Sequence, residues 1–333
     1  MVTPEVSRPK RSGTYTKKIQ IKRFSHNPLI VPDPNSSWMK VAVFNCGVIK
    51  DDKDGFYKML FRATSRKDHQ YSDIGLALSE DGKNWSIHDE PVLRSGFNQY
   101  CARGIEDPRI IQWVDGWYYI FTAVKSATAK SDNVRVGIFR TRDFFEYEWV
   151  GFSFNRVDRN TVVFPEPIGN CAFLLHRTYP HIWISRNEDL NLNNNWPDGQ
   201  ILIKSEELYP NPRNEIKPWK ISIASPPIKT PKGWLLLINT SSKESRYDVE
   251  RVVYSLGFAV LDLHDPTKVN YIHPEPILWP TEEYETTGCV PNVCFCCAAV
   301  DTGGDDIYVY YGGADTIVAG GILPKEQLEG ICY

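Results

Sequence analysis

The chain is a succession of short apolar runs, many alternating apolar with polar residues, broken by polar or glycine-bearing turns. No window of about 15 residues keeps the 3.6-residue period of an amphipathic helix without a Pro, Gly or β-branched interruption, so the pattern predicts strands. Five runs share a turn residue or polar pair followed by closely spaced aromatic and aliphatic residues: "DGFYKMLFRA" from Asp54, "DGWYYIFTAV" from Asp115, "GNCAFLLHR" from Gly169, "KGWLLLINTS" from Lys232 and "DDIYVYYGGA" from Asp305. Each is preceded by a β-like run ("VAVFNCGVI", "GIEDPRIIQW", "TVVFPEPI", "ISIASPPIKT", "VPNVCFCCAAV") and followed by another ("DIGLALS", "RVGIFRT", "HIWISRN", "YSLGFAVLDL", "TIVAGGIL"). The repeat is therefore a three-strand meander, with two-residue turns such as Asp115-Gly116 of the kind hairpins favour. In three units a polar turn then leads to Trp85, Trp149 or Trp196, where a fourth, outer strand begins.

Four-stranded antiparallel units recurring about every sixty residues around a ring make a β-propeller, and five of them fill this length. The predicted fold is all-β, a single five-bladed β-propeller over residues 26–333 behind a basic N-terminal arm of residues 1–25. A pair of β-sandwiches is the competing all-β arrangement, but it would not require five similar meanders.

Composition narrows the partners. A formal net charge of -3 gives no reason to expect nucleic acid, whose binders usually carry a basic balance. The one basic stretch, "RPKRSGTYTKKIQIKR" from Arg8 to Arg23, reads as a solvated arm that would suit a contact between subunits of a homo-oligomer. No run approaches the ~18 apolar residues of a membrane span and the N-terminus lacks a secretory core, so a cytoplasmic protein without a membrane partner is expected. Of the eight cysteines, Cys289, Cys294, Cys296 and Cys297 crowd one strand-like segment. They are expected to be reduced and packed as small apolar groups, with no metal site.

The first strand of each propeller blade lines the central channel, so polar residues there converge on one axial cavity. Those that a buried strand would not choose are Asn45, Glu106, Asp107, Arg109, Glu166 and Asn292; the second strands add Arg62, His176, Arg177 and Asp315. Any one could be a structural pair, Arg109 with Glu106 or Arg177 with Glu166. Carboxylates, guanidiniums and amides gathered from several blades suit sugar hydroxyls better. Dinucleotide, P-loop, zinc-protease and nucleophile-elbow motifs are absent, which leaves carboxylate-driven glycosyl transfer.

The segments "RGIEDPRI", "VVFPEPI", "FLLHRTYPHIWIS", "SPPIKTPKGWLLL", "LGFAVLDLHDPTKV" and "YETTGCVPNVCF…YVYYGGADT" together resemble glycoside hydrolase family 130, the β-mannoside phosphorylases and β-mannosidases, in the same order from about Asn27 to Gly321. The resemblance implies a five-bladed propeller in which Asp107 is the catalytic acid, protonating the glycosidic oxygen through the mannose 3-hydroxyl. It places Asn45, Arg62 and Asp315 on the mannosyl unit, and Arg159, Asn160, Arg177 and Lys220 on phosphate. Glu106 and Arg109 are grouped with the substrate-binding residues, Arg109 beside Asp107 to fix its local charge and Glu106 on the other face of the strand. One departure stands out: "WLLLINTSS" puts Asn239 where these phosphorylases carry a phosphate-binding histidine, and Asn239 is expected to bind phosphate there through one hydrogen bond without carrying charge.

The expected function is an inverting phosphorylase cleaving β-mannosides, with a β-1,2 leaning, using inorganic phosphate as co-substrate and no other cofactor. The alternative is an inverting hydrolase, which needs a second carboxylate to activate water. Its candidate bases are Glu166, Glu244, Glu250 and Glu285, of which Glu244 and Glu250, in an acidic insertion, discriminate best. A sugar-binding propeller without turnover is the third reading.

Overall fold

The computed structural model describes residues 18–67, 71–128, 134–192, 196–209, 218–246 and 249–333, with the side chains of 244–250 outside the description. Among the described residues the strands form five antiparallel sheets, which are the five blades of a propeller. Blade 1 runs from the inner strand Ala42–Lys50 through Tyr57–Thr64 and Asp73–Ser79 to Ser86–Ile87. Blade 2 has Gly104–Gln112, Tyr118–Lys125, Arg135–Thr141 and Glu148–Phe152; blade 3 has Arg159–Val163, Ala172–Arg177, Ile182–Asn187 and Gln200–Ile203. Blade 4 is built on Pro218–Ile223, Gly233–Arg246, Val249–Leu261 and Val269–Ile272, with the short strand Ile228–Thr230 also paired to Gly233–Arg246.

Blade 5 corrects the predicted boundary of the arm. Its strands Cys294–Asp301, Asp306–Gly313 and Ile317–Pro324 are completed by Lys22–Arg23 from the beginning of the chain, Lys22 opposite Ile322 and Arg23 opposite Gly321. The propeller therefore starts by residue 18, while residues 1–17 of the predicted arm lie outside the described residues. The signal was present: in "KIQIK" the isoleucines alternate with polar residues, and Ile19 and Ile21 are buried while Lys18, Gln20 and Lys22 are exposed. Pairing the first residues with the last blade closes the ring, so no long sheet edge is left between start and end.

The core consists of layers between adjacent blades. Leu60, Ile74 and Ile110 pack with Tyr118 and Phe139 between blades 1 and 2. Leu235, Leu237 and Phe258 pack with Val309 and Tyr311 between blades 4 and 5. The Asp115-Gly116 turn is wider than predicted: Gln112 pairs with Tyr118, and Gly116 takes φ +80° inside a longer loop.

Candidate active site

Every inner strand carries a β-bulge or register irregularity where it pairs with the next strand of its blade. The register slips by one residue between Phe44 and Gly47, Glu106 and Arg109, Arg159 and Val162, Pro218 and Lys220, and Cys296 and Ala298. A bulge re-aims a side chain that regular pleating would send into the sheet packing. In blades 1 to 3 the bulge residues are Asn45, Asp107 and Asn160, at φ +47°, +53° and +55°. Asn and Asp are the non-glycine residues that best tolerate this left-handed conformation, and they also bring polar side chains. The three side chains meet in an axial cavity of about 230 Å³.

One wall of that cavity is a closed ion network. Asn45 Nδ2 donates to Asp107 Oδ1 at 2.9 Å, and Arg62 Nη1 stands 3.3 Å from the same oxygen. Arg62 Nη2 donates to Glu106 at 2.7 Å and its Nε to Ser72 Oγ at 3.1 Å. Burial pushes the Asp107 carboxyl up, but Arg62, the Asn45 amide, Arg109 and Arg159 together hold it below its ordinary value. Asp315, also lining the cavity, goes the other way: burial drives it up to about 7, with Arg62 opposing and Asp107 and Glu106 adding to the rise. Gly312 is required beside this wall, because a Cβ there would stand 2.3 Å from Asn45 Oδ1.

The opposite wall is cationic. Arg159, Asn160, Arg177 and Lys220 line it with Ser222, Ser241 and Tyr254. Lys220 Nζ donates to Tyr254 Oη at 3.0 Å and lies over the Trp219 ring. Arg177 Nε is buried without a hydrogen-bond partner among the described residues, and so is Ser241 Oγ. Burial, and then repulsion from Arg159, lower the proton affinity of Arg177. Asp158 sits behind the two arginines and accepts both their main-chain N–H groups, at 2.7 and 3.2 Å. A buried guanidinium with an unpaired donor, lining the cavity together with Arg159 and Lys220, makes a seat for an anion.

Several predicted residues take other places. Glu106 does not line the cavity; it is 1 % exposed and pairs with Arg62 and, at 2.5 Å, with Lys125. Arg109 does not face the cavity either, and it does not pair with Glu106: its guanidinium donates to the carbonyls of Ala224, Ile223 and Asp107. Asn239 borders the cavity, but its amide is pinned to blade 5, Nδ2 to Cys296 O at 2.7 Å and Cys296 N to Oδ1 at 2.9 Å. It ties two blades together, so its amide is already engaged at the position where a hydrogen bond to phosphate was expected. Glu166 pairs with Lys229 on the outer surface, and Glu285 is buried against Arg23 and Tyr311. His176 is packed against Asp158 and Trp183 outside the cavity, and Asn292 is not among its lining residues. The side chains of Glu244 and Glu250 lie outside the described residues.

Sequence reading missed Ser222, Ser241, Tyr254 and the apolar lip of Val290, Val293 and Phe295. These residue types are ordinary in strands, so only their place on blades 4 and 5 marks them. It also missed the bulges, for which the Asn and Asp of blades 1 to 3 were the one available sign. Among the described residues no group of three His, Cys, Asp or Glu could hold a metal ion, and no helix is long and apolar enough to cross a membrane.

A propeller with a carboxylate wall facing a cationic wall across one small axial cavity defines a protein that handles a polar, hydroxyl-rich ligand together with an anion. Comparison with known proteins agrees. The model of glycoside hydrolase family 130, described as beta-1,4-mannooligosaccharide phosphorylase, matches residues 11–333, and the chain belongs to that family. It is 36% identical over 318 residues to a 1,2-beta-oligomannan phosphorylase of Thermoanaerobacter sp. (strain X514), covering 93% of this chain and 99% of the relative. A beta-1,2-mannobiose phosphorylase of the same strain is 33% identical over 324 residues, with the same coverage of 93% and 99%. Among solved structures, the beta-1,2-mannobiose phosphorylase of Listeria innocua in complex with beta-1,2-mannobiose superposes with a TM-score of 0.74 at 27% identity, over 92% of this chain and 98% of that one.

Proposed function

We propose that the protein is an inverting β-mannoside phosphorylase acting on β-1,2-linked mannosides, with inorganic phosphate as the attacking group and mannose 1-phosphate as a product. The observation that carries this reading is the division of the cavity. Asp107 stands on one wall, while Arg159, Arg177 and Lys220 line the cavity together, and among the described residues the only carboxylates lining it are Asp107 and Asp315. The activities for which the two Thermoanaerobacter relatives are named support the β-1,2 linkage.

Asn45, Arg62 and Asp315 hold the mannosyl hydroxyls; phosphate sits against Arg159, Asn160, Arg177 and Lys220. A phosphate oxygen attacks the anomeric carbon from the face opposite the leaving sugar. The bond from that carbon to the glycosidic oxygen breaks with its electron pair going to the oxygen. The proton that completes the leaving hydroxyl comes from Asp107, relayed through the mannose 3-hydroxyl. No protein base is needed, because phosphate arrives already anionic. In the free cavity Asp107 is held below its ordinary range, with Arg159 among the causes. A phosphate dianion on Arg159 cancels part of that positive field, so binding of the nucleophile raises the proton affinity of the acid.

A hydrolase would instead need a second carboxylate about 6.5–9.5 Å from the acid to activate water. Among the described residues the carboxylates lining the cavity are Asp107 and Asp315, and the groups acting on Asp315 are Arg62, Asp107 and Glu106, so it is grouped with the acid; the side chains of Glu244 and Glu250 lie outside the described residues. The deciding experiment supplies β-1,2-mannobiose with and without phosphate. Mannose 1-phosphate formed only with phosphate is the expected result; equal consumption in phosphate-free buffer, with free mannose as the sole product, would overturn the reading.

A further inference from the structure

Arg109 is the residue the reaction leaves unused. It follows the Asp107-Pro108 bulge on the inner strand of blade 2, it is 1 % exposed, and it reaches across the ring beneath the cavity floor. Its Nε donates to Ala224 O at 2.9 Å and its Nη2 to Ile223 O at 2.8 Å, both where the inner strand of blade 4 ends. The third donor, Nη1, turns back to the carbonyl of Asp107 itself at 3.1 Å. One planar guanidinium thus links the peptide of the acid to the blade two places further round the ring.

Asp107 needs such support. A left-handed aspartate persists only where its surroundings over-determine it, and its side-chain direction follows from that backbone. The next peptide is held from the other side, since Pro108 O would lie 2.6 Å from any Cβ on Gly47 of blade 1. We propose that Arg109 is a positioning residue for the acid, a strut across the ring that fixes the Asp107 peptide and through it the aim of the carboxylate. The inference rests on the reading of Asp107 as the proton donor.

A second consequence is electrostatic. The hydrogen-bond partners of Arg109 are main-chain carbonyls, so its charge is not cancelled by a paired carboxylate, and it is among the groups that hold Asp107 down. The other charged or titratable groups around the pair are Arg62, Arg159, Arg177, Asp315, Cys296 and Cys297. Loss of Arg109 leaves those in place and removes one buried positive charge, so Asp107 keeps its proton to higher pH.

The test compares wild type, Arg109→Gln and Arg109→Lys by steady-state kinetics on β-1,2-mannobiose, with thermal unfolding to verify folding and phosphate titration to count competent sites. For Arg109→Gln the expected loss is about a hundredfold in kcat per competent site, the scale of a displaced catalytic group. The mannoside KM should change by less than about threefold, and the basic limb of kcat/KM should move up by about half a pH unit or more. Arg109→Lys keeps the charge and should recover about tenfold in kcat, still short of wild type, with the limb at its wild-type position. A folded Arg109→Gln whose limb stays at the wild-type pH, with kcat per competent site unchanged, would overturn the proposal. Where Arg109→Gln does not fold, Arg109→Lys decides: full wild-type kcat supports nothing more than a charge in the core and overturns the strut, while a kcat loss at unchanged phosphate binding supports it. Failure of the phosphorylase reading is seen separately, as a wild type whose turnover ignores phosphate, and the pH limb can then be read on that hydrolytic turnover.

Discussion

The two walls of the axial cavity are built from the same kind of strand and handle charge in opposite ways. On the wall of Asn45, Arg62 and Asp107, each charge is answered: Arg62 bridges Glu106 and Asp107, and Lys125 closes on Glu106. On the wall of Arg159, Arg177 and Lys220, cations face one another and Arg177 is weakened by its neighbour. A paired network can bind a neutral sugar without gaining or losing charge. A cluster of cations that repel one another gains most from an anion, because a bound phosphate removes part of that repulsion as well as forming charge-assisted hydrogen bonds.

The sharpest way to break the comparison is at its acid. Asp107→Asn keeps the hydrogen bond to Asn45 but removes the transferable proton, so kcat should fall by about 10³-fold with the mannoside KM little changed; a drop below tenfold, measured by release of mannose 1-phosphate, would mean the proton comes from elsewhere. Next in size are Arg177→Met and Lys220→Met, each expected to raise the KM for phosphate by about thirtyfold, the equivalent of about 2 kcal/mol for a lost charge-assisted contact, while the KM for mannoside stays near wild type. If both constants rose together, the two walls would not be functionally distinct.

Asn239 sharpens the boundary between binding and architecture. Asn239→Ala strips two buried hydrogen bonds to Cys296 and leaves its carbonyl and amide unpaired, so unfolding should become easier by about 1–3 kcal/mol. Its phosphate KM should move less than that of Lys220→Met, as equilibrium unfolding and kinetics on the same preparation will show.

The smallest effect on stability concerns Asp315. Its carboxyl titrates near 7 in the folded chain against an ordinary 3.8, so the folded state keeps a proton that the unfolded chain gives up in between. Wild-type stability therefore declines as pH rises through that window, and Asp315→Asn does not share the decline. The variant should unfold about 2 °C above wild type at pH 8, and the advantage should vanish near pH 4, while sugar binding is lost.

How far the sequence reaches can be judged residue by residue. Asn45, Arg62, Asp107, Arg159, Asn160, Arg177, Lys220 and Asp315 all line the cavity, as their motifs indicated. Glu106 and Arg109 do not line the cavity, as substrate-binding residues would. In a motif such as "EDPRI", which neighbour faces the ligand depends on where the strand bulges, and a one-residue slip exchanges the faces of the sheet. Asn239 was judged by the residue it replaced, whereas its bonds are to a strand 57 residues away.

The sequence by itself determined the strand pattern, the fivefold meander and the set of polar side chains available to the axis, because period-two alternation and turn chemistry are local properties of the chain. Only the tertiary structure decided that the first strand closes the last blade, that bulges aim Asn45, Asp107 and Asn160 inward, and that Arg109 braces the floor while Arg177 faces the cavity. These outcomes depend on which segments meet around the ring, and contacts between blades are set by packing over distances that no local pattern encodes.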